Sequence, residues 1–218
     1  MLIGIDASRA TRPQRTGTEN YSLYLLRHLL ATDSHHRYRL YFDVPPPRGL
    51  FPPQGNWEAR VIPFPRLWTH LRLSAEMARH PPDLLFVPAH VIPLLHPPSV
   101  VTVHDLGYLY YPEAHRLLDR LYLDLSTRFN ARVARHIIAD SEATKKDLVE
   151  RYGIPGGKIT VVYPGCIPLQ GSRSPQEVIE RYGLPEGYIL HLGTLHPRKN
   201  LLRLMEACSL LPEGWHLV

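Results

Sequence analysis

Short apolar runs that alternate with helical segments constrain the fold of this chain more than any other feature. Residues 84–87 and 100–103 are predominantly apolar, which is typical of strands covered on both faces. Runs at 2–7 and 136–139 have the same character, and a helical segment at 142–151 follows the last of them. This alternation with short connections predicts an α/β fold with a Rossmann-like, doubly wound parallel sheet.

The other predicted elements continue this alternation. Strands are predicted at 38–44, 60–62, 159–162 and 188–192, and helices at 18–31, 69–79, 112–134, 175–182 and 199–211. Thr18 is expected to cap the helix 18–31, with Glu19 in its first turn. Helical spacing predicts that the buried face of this helix carries Tyr21, Tyr24, Leu25 and Leu29.

The chain divides at a turn-rich segment after Pro164, where the strand–helix pattern begins again. We predict an N-terminal domain at 1–165, a linker at 166–175 and the beginning of a second Rossmann-like domain at 176–218. Leu217 and Val218 lie within an apolar run without turn residues, so we expect the second domain to be incomplete in this chain.

The composition disfavours several classes of protein. No apolar run approaches the length of a transmembrane helix, and the first ten residues lack the features of a signal peptide. Cys166 and Cys208 form no CxxC pair, which favours a reducing, cytoplasmic location. The net charge of +5 is scattered, so we expect no nucleic-acid partner. A solvated basic surface is the simplest interpretation of that charge, and attraction to an anionic membrane or to a phosphorylated substrate is the alternative.

The predicted loop after the first strand carries Gly17 just before a helix. Backbone N–H groups and the helix dipole there favour a phosphate or carboxylate, although a single glycine also serves purely conformational ends. Asp43, at the end of the second strand, resembles a ribose-binding acid. The GxGxxG pattern is missing, however, which disfavours a nicotinamide-dependent oxidoreductase.

Polar residues also follow two later strands, where a doubly wound sheet places its ligands. His104 and Asp105 follow the strand 100–103. His104 can donate to an oxyanion or a sugar hydroxyl, with Asp105 either orienting it or capping the loop, and a purely structural pair is an equal alternative. Ser141 is predicted to cap the helix 142–151, with ligand contact as a secondary role.

A basic pair stands out in the last thirty residues. Arg198 and Lys199 follow the strand 188–192 and the turn at Gly193, and they are predicted to open the next helix. Two cations at a helix N-terminus favour phosphate oxygens, although simple surface solvation is the alternative. No HExxH or other helical pair of metal ligands occurs, so no metal site is predicted.

Four ordered sequence blocks together resemble glycosyltransferase family 4. They read TGTENYSLYLLRHL (16–29), VVTVHDLGYLYYPE (100–113), IIADSEATKKDLVERYGIPGGKITVVYPG (137–165) and YILHLGTLHPRKNLLRLMEA (188–207). The resemblance implies a retaining, nucleotide-sugar-dependent enzyme with two facing Rossmann-like domains, the GT-B fold. It further implies that residues 1–165 form the acceptor-binding domain and that residues 176–218 begin the nucleotide-sugar-binding domain. The fourth block is most similar to mannosyltransferases of polysaccharide assembly.

The resemblance also implies residue roles. Gly17 and Thr18 would lie near the donor diphosphate and the acceptor, His104 near the transferred sugar, and Arg198 and Lys199 would neutralise the departing diphosphate. The implied partners are a GDP- or UDP-linked sugar, as a co-substrate in place of any cofactor, and a saccharide or lipid-linked acceptor.

Two departures from the family pattern bear on activity. Thr194 follows Gly193 where many members have arginine. Gly193 and Thr194 are still candidate substrate contacts, as are Asp105 and Ser141. The family's acidic pair with seven intervening residues, which holds the donor, falls later than Val218 and is absent from residues 176–218. We therefore expect little activity from this chain alone, and a non-catalytic phosphosugar-binding or scaffolding module is the alternative.

Overall fold

The structure is a computed structural model that describes residues 1–53, 55–89, 91–166, 173–193 and 195–218. These residues form two compact units. The first unit comprises Met1–Leu106 and Leu118–Pro164, and the second comprises Gly107–Leu117 and Gly165–Val218. Residues 167–172 of the predicted linker, and the candidate contact Thr194, lie outside the described residues.

The first unit is built on a seven-stranded parallel sheet. Its strands are β1 (Leu2–Asp6), β2 (Arg37–Phe42), β3 (Trp57–Val61), β4 (Leu84–Val87), β5 (Ser99–Val103), β6 (His136–Ala139) and β7 (Ile159–Val161). They lie in the order β3-β2-β1-β4-β5-β6-β7, and every neighbouring pair is parallel. From β1 the strands follow in sequence order toward both edges of the sheet, through β2 and β3 on one side and β4 to β7 on the other. This is the strand order of a doubly wound sheet. The predicted fold class is confirmed.

β1 lies inside the sheet, paired with β2 on one side and β4 on the other. Ile5 is in register with Leu40 of β2 and with Phe86 of β4, and both Ile5 and Leu40 are fully buried. Gly4 is required beside them because a Cβ at this position would lie 2.7 Å from Cγ of Pro82. The close packing around β1 fixes the strand end that carries the polar residues described below.

Four α-helices belong wholly or mainly to the first unit: α1 (Gly17–Thr32), α2 (Ser74–Arg79), α3 (Leu117–Val133) and α4 (Glu142–Tyr152). Two predicted helices are divided. The segment predicted at 69–79 begins as a π-helical turn, Thr69–Leu73, before α2. The segment predicted at 112–134 begins as a 3₁₀ turn, Pro112–Ala114, and the extended backbone of His115 separates that turn from α3.

The buried face of α1 differs from the prediction. Leu23, Leu26 and Leu30 are buried in the core, whereas the predicted residues Tyr21, Tyr24, Leu25 and Leu29 are only half-buried. The physical reason is that one edge of the helix faces the strand ends, where the ring of Tyr21 packs against His104. The face of α1 that contacts the core is therefore rotated about the helix axis relative to the predicted face.

The second unit contains a short parallel pair of strands. Its elements are α5 (Pro175–Tyr182), β8 (Gly187–Ile189), a 3₁₀ turn (Pro197–Lys199), α6 (Leu201–Cys208) and β9 (Trp215–Leu217). β8 and β9 pair in parallel, β8 is shorter than the predicted strand 188–192, and neither α5 nor α6 has a buried residue. Across the described part of the chain, every helix is too short or too polar to cross a membrane.

Candidate active site

Three neighbouring strand ends meet at His104. The residue follows β5 directly, and its Nδ1 lies 2.5 Å from Oδ2 of Asp140, which follows β6. Its Nε2 lies 3.0 Å from the carbonyl oxygen of Pro88, which follows β4. Since β4, β5 and β6 are adjacent, the parallel sheet itself brings these groups together at its carboxyl edge.

Both ring nitrogens of His104 face hydrogen-bond acceptors. An ionised carboxylate and a carbonyl oxygen can only accept, so any hydrogen bond to either of them is donated by a ring N–H. The side chains of His104 and Asp140 are 20% and 16% exposed, so the pair is largely shielded from water without being sealed off. The arrangement offers an imidazole ring, held by a carboxylate and a backbone carbonyl, at the strand ends.

Two helices hold this pair in place. The ring of Tyr21, from α1, packs edge-on against the His104 ring with centroids 4.8 Å apart, and its hydroxyl lies 3.4 Å from Oγ1 of Thr102. Oγ1 of Thr144, in the first turn of α4, donates to the His104 carbonyl at 3.1 Å. Ser141 caps α4 by accepting a hydrogen bond from the Thr144 backbone N–H, as predicted.

The carboxylate that pairs with Nδ1 of His104 is that of Asp140, and this contact was not predicted. Asp105, the residue expected either to orient the ring or to cap the loop, is exposed. The missed signal was available in part, because Asp140 follows the strand predicted at 136–139. Recognising it as the partner also required the knowledge that this strand is the neighbour of β5.

The start of α1 lies two residues before the predicted cap. Thr16, not Thr18, is the N-cap, and its backbone N–H donates to Oε2 of Glu19 at 3.0 Å in a capping box. The sequence signal was the T-x-x-E pattern at 16–19. Gly17 is the first helical residue, and a Cβ added to it would meet nothing within 4 Å. Space is therefore open at this helix end.

The basic pair of the second unit lies in a separate turn and not in the first turn of the predicted helix 199–211. Arg198 and Lys199 belong to the 3₁₀ turn, and α6 begins only after Asn200, whose φ of 50° is left-handed. That backbone conformation is why the turn cannot continue into the helix. A Cβ added to Gly193 would lie 3.9 Å from Cε of Lys199, so the glycine turn and this side chain are neighbours, as the sequence suggested.

Two remaining questions from the sequence concern a metal site and the role of Asp43. Among the described residues, no group of three or more His, Cys, Asp or Glu side chains is placed to hold a metal ion. Asp43, considered above as a ribose-binding acid, forms an ion pair with Arg12 at 2.5 Å.

Comparison with known proteins places these residues in a family. Residues 15–168 match Glycosyltransferase Family 4. The O-antigen chain mannosyltransferase B of Escherichia coli is 26% identical over 226 residues, which cover 93% of this chain and 59% of that protein. The O-antigen chain mannosyltransferase RfbU of Salmonella typhimurium is 21% identical over 151 residues, covering 69% of this chain and 39% of that protein.

A crystal structure of a glycosyltransferase from Rickettsia africae ESF-5 aligns with all of this chain and 67% of its own, at 10% identity and a TM-score of 0.48. The chain spans between 39% and 59% of the length of the two curated relatives it matches. The family match extends over well over half of the 218 residues and contains the whole cluster around His104. The resemblance seen in the four sequence blocks is thereby confirmed, and the chain belongs to glycosyltransferase family 4.

Proposed function

We propose that this protein takes part in transferring mannose from a nucleotide-sugar donor, GDP- or UDP-linked, to a saccharide or lipid-linked acceptor, with retention of configuration. The product would be a cell-surface polysaccharide. The observation that carries this proposal is the family match at 15–168, which encloses the cluster at the ends of β4, β5 and β6. The choice of mannose rests on the names of the two O-antigen chain mannosyltransferases.

The proposed chemistry needs positively charged protein groups beside the leaving group. Cleavage of the bond between the sugar and the diphosphate leaves negative charge on phosphate oxygens, so fixed cations stabilise the transition state more than the ground state. We assign this role to Arg198 and Lys199, with Gly193, the neighbour of the Lys199 side chain, as a further phosphate contact. We assign to His104 a contact with the transferred sugar, in which a sugar hydroxyl would replace the Pro88 carbonyl at Nε2 while Asp140 holds Nδ1.

A transfer assay with the polypeptide that the gene encodes tests the proposal. The protein is incubated with radiolabelled GDP-mannose, or UDP-linked sugars, and a panel of saccharide and polyprenyl-phosphate acceptors. Lys199→Ala and His104→Ala are each expected to lower kcat by about 100-fold, the usual effect of losing one group that stabilises developing charge. Lys146→Ala is the matched control, because its side chain is 71% exposed on α4, and it should retain full activity.

The outcomes separate the alternatives. Full activity of both Lys199→Ala and His104→Ala would contradict the residue assignment. Binding of nucleotide sugars without any transfer would instead indicate a phosphosugar-binding module, and a scaffold would bind neither donor nor acceptor. The anomeric configuration of the product, read by NMR, tests retention.

We also propose that the reaction takes place in the cytoplasm, at the inner face of the membrane. Cys166 and Cys208 are both free thiols, which suits a reducing compartment. The net charge of +5 favours an anionic surface. Sedimentation with liposomes that contain anionic lipid should carry the protein down at low salt, and equal sedimentation with neutral liposomes would contradict an electrostatic attraction.

A further inference from the structure

One ridge of α3 exposes leucines where a water-facing helix normally carries polar side chains. Leu118, Leu121 and Leu125 are each more than half exposed, and their spacing of three and four residues places them on one face of the helix. The buried residues of α3 are instead polar, namely Thr127 and Asn130. The helix therefore shows the reverse of the usual pattern, with polar groups inside and leucines toward solvent.

A buried hydrogen bond fixes α3 in this orientation. Oδ1 of Asn130 accepts from the backbone N–H of Ile92 at 3.0 Å, and Asn130 is only 4% exposed. Turning the helix to bury its leucines would break this bond and leave the N–H of Ile92, a fully buried residue, without an acceptor. The leucine ridge is therefore a fixed feature of the surface of the first unit.

A second exposed apolar segment lies beside α3. Leu67 is 64% exposed and Leu71 is 50% exposed. His70, which lies between them, contacts Tyr122 of α3, with Nε2 of the imidazole 3.1 Å from the tyrosine hydroxyl. Leu67 has a left-handed backbone with φ of 54°, which is unfavourable for leucine. The fold thus holds a strained leucine out in solvent next to the ridge, which suggests a function for the exposed side chain.

These two segments form one apolar patch, which we call the leucine surface. It consists of Leu67, Leu71, Leu118, Leu121, Tyr122 and Leu125. Contiguous apolar patches on the surface of a protein mark sites of interaction with another apolar surface.

Arginines border the leucine surface. Arg128 and Arg132 continue the same ridge through the last turns of α3, and Arg66 directly precedes the exposed segment at Leu67. All three arginines are exposed. A bilayer presents a layer of phosphate groups above its apolar acyl chains, so leucines can insert while neighbouring arginines bind the phosphates. This combination of apolar and basic groups matches an anionic membrane surface.

A second copy of the chain fits the leucine surface less well. Two such surfaces brought together would place Arg128 and Arg132 either against the partner's arginines or against its leucines. The first arrangement is repulsive, and the second removes a guanidinium group from water without a new counter-charge. A lipid phosphate avoids both costs.

We propose that the leucine surface docks onto an anionic lipid bilayer, with its leucines inserted below the phosphate groups and Arg66, Arg128 and Arg132 level with them. The choice of a bilayer as partner rests on the membrane location proposed above. The surface itself rests on the exposure, spacing and charge of these residues.

The leucine surface adjoins the carboxyl edge of the sheet. Tyr122 and Thr69 line a cavity together with Asp6, which ends β1, and Ser8, which follows two residues later. His104 follows β5 at the same edge of this parallel sheet. Docking would therefore hold the candidate active site beside the bilayer.

Vesicle flotation with this chain tests the proposal. The parent should float with vesicles of phosphatidylcholine and phosphatidylglycerol, and much less with phosphatidylcholine alone. Leu118→Gln, Leu121→Gln and Leu125→Gln should each lower the affinity for the anionic vesicles about tenfold at any salt concentration, the effect of losing about half of the burial energy of a leucine. Because these side chains are exposed, Tm should not fall.

Arginine variants and a matched control separate charge from insertion. Arg66→Gln and Arg132→Gln should each lower the affinity about fivefold at low salt, and this difference should vanish in about 1 M NaCl, where the charges are screened. Leu202→Gln is the matched control, because this leucine of α6 is 76% exposed, close to the 78% of Leu118, and lies outside the leucine surface. It should float like the parent.

Three results would overturn the leucine surface as the docking site. These are unchanged flotation of a variant that combines the three α3 leucine substitutions, an equal loss of flotation in Leu202→Gln, and a dimer in the absence of lipid that the combined variant dissociates. If the parent did not float, the proposed membrane location would fail as well. Sugar transfer to a soluble saccharide acceptor is measured without vesicles, so a failure of docking is distinguishable from a failure of the proposed transferase function.

Discussion

The contact between His104 and Asp140 makes a quantitative prediction about stability. Changing Asp140 to Asn keeps the size of the side chain but removes its charge, and changing His104 to Gln removes the imidazole ring. A double-mutant cycle over these two changes isolates the energy of the pair from the other effects of each substitution.

The expected magnitude follows from distance and burial. Nδ1 and Oδ2 are 2.5 Å apart, and the two side chains are 20% and 16% exposed, so solvent screening is limited. A hydrogen bond with a charged partner contributes about 1.5–3 kcal/mol net. We expect a coupling energy in that range, and a fall in Tm of roughly 4–8 °C for Asp140→Asn if it loses about 2 kcal/mol.

The assay can be confined to the first unit. Trp57 and Trp68 lie in that unit, whereas Trp215 lies in the second. In a Trp215→Phe background, tryptophan fluorescence during urea unfolding therefore reports on the unit that contains His104. If the urea midpoints from fluorescence and from circular dichroism agree for the same variant, the two units unfold together.

A surface ion pair provides the control for this cycle. Lys146 and Glu150 lie 3.9 Å apart on α4, with side chains 71% and 57% exposed. Such exposed pairs couple by about 0.3–0.5 kcal/mol. If the His104–Asp140 cycle gave a coupling no larger than that of the Lys146–Glu150 cycle, the view of a strong, shielded pair at the strand ends would be refuted.

Two further predictions concern stability. Burial raises the pKa of Glu19, but the hydrogen bonds from Thr16 lower it by more, so the pKa lies below its ordinary value of 4.5. The ionised Glu19 side chain therefore stabilises the fold fully above pH 4.5. This contribution is lost as the pH falls through the lowered pKa. Glu19→Gln should accordingly cost about 0.5–1 kcal/mol at pH 7, with the difference shrinking below about pH 4, and a pH-independent difference in urea unfolding would contradict this. Gly4→Ala should cost about 1–3 kcal/mol because the new Cβ would lie 2.7 Å from Cγ of Pro82, whereas Gly157→Ala, where a Cβ meets nothing within 4 Å, should unfold as the parent does.

The sequence predicted the sheet well because each strand carries its own signal. The strands at 84–87 and 136–139 have the bounds that the apolar runs indicated. Helix ends were harder, since a cap depends on one or two residues: the start of α1 follows from the T-x-x-E pattern, which was present but overlooked. The division before α6 depends on the left-handed backbone of Asn200, which side-chain periodicity does not reveal.

The sequence could identify a site residue where that residue directly follows a predicted strand. His104 was found because it stands directly after a predicted strand. Its partner Asp140 was missed because pairing depends on which strands are neighbours, and 35 residues of chain separate the two positions.

The hydrogen bond from Thr144 to the His104 carbonyl ties the loop after β5 to the first turn of α4. Any movement of that loop must either carry the helix end along or break the bond. Amide protons in the first turn of α4 should therefore exchange with deuterium at a rate that changes when a sugar contacts the His104 ring. A changed exchange rate of these amides would indicate that a sugar is bound at His104, and mass spectrometry can measure it without any label on the sugar.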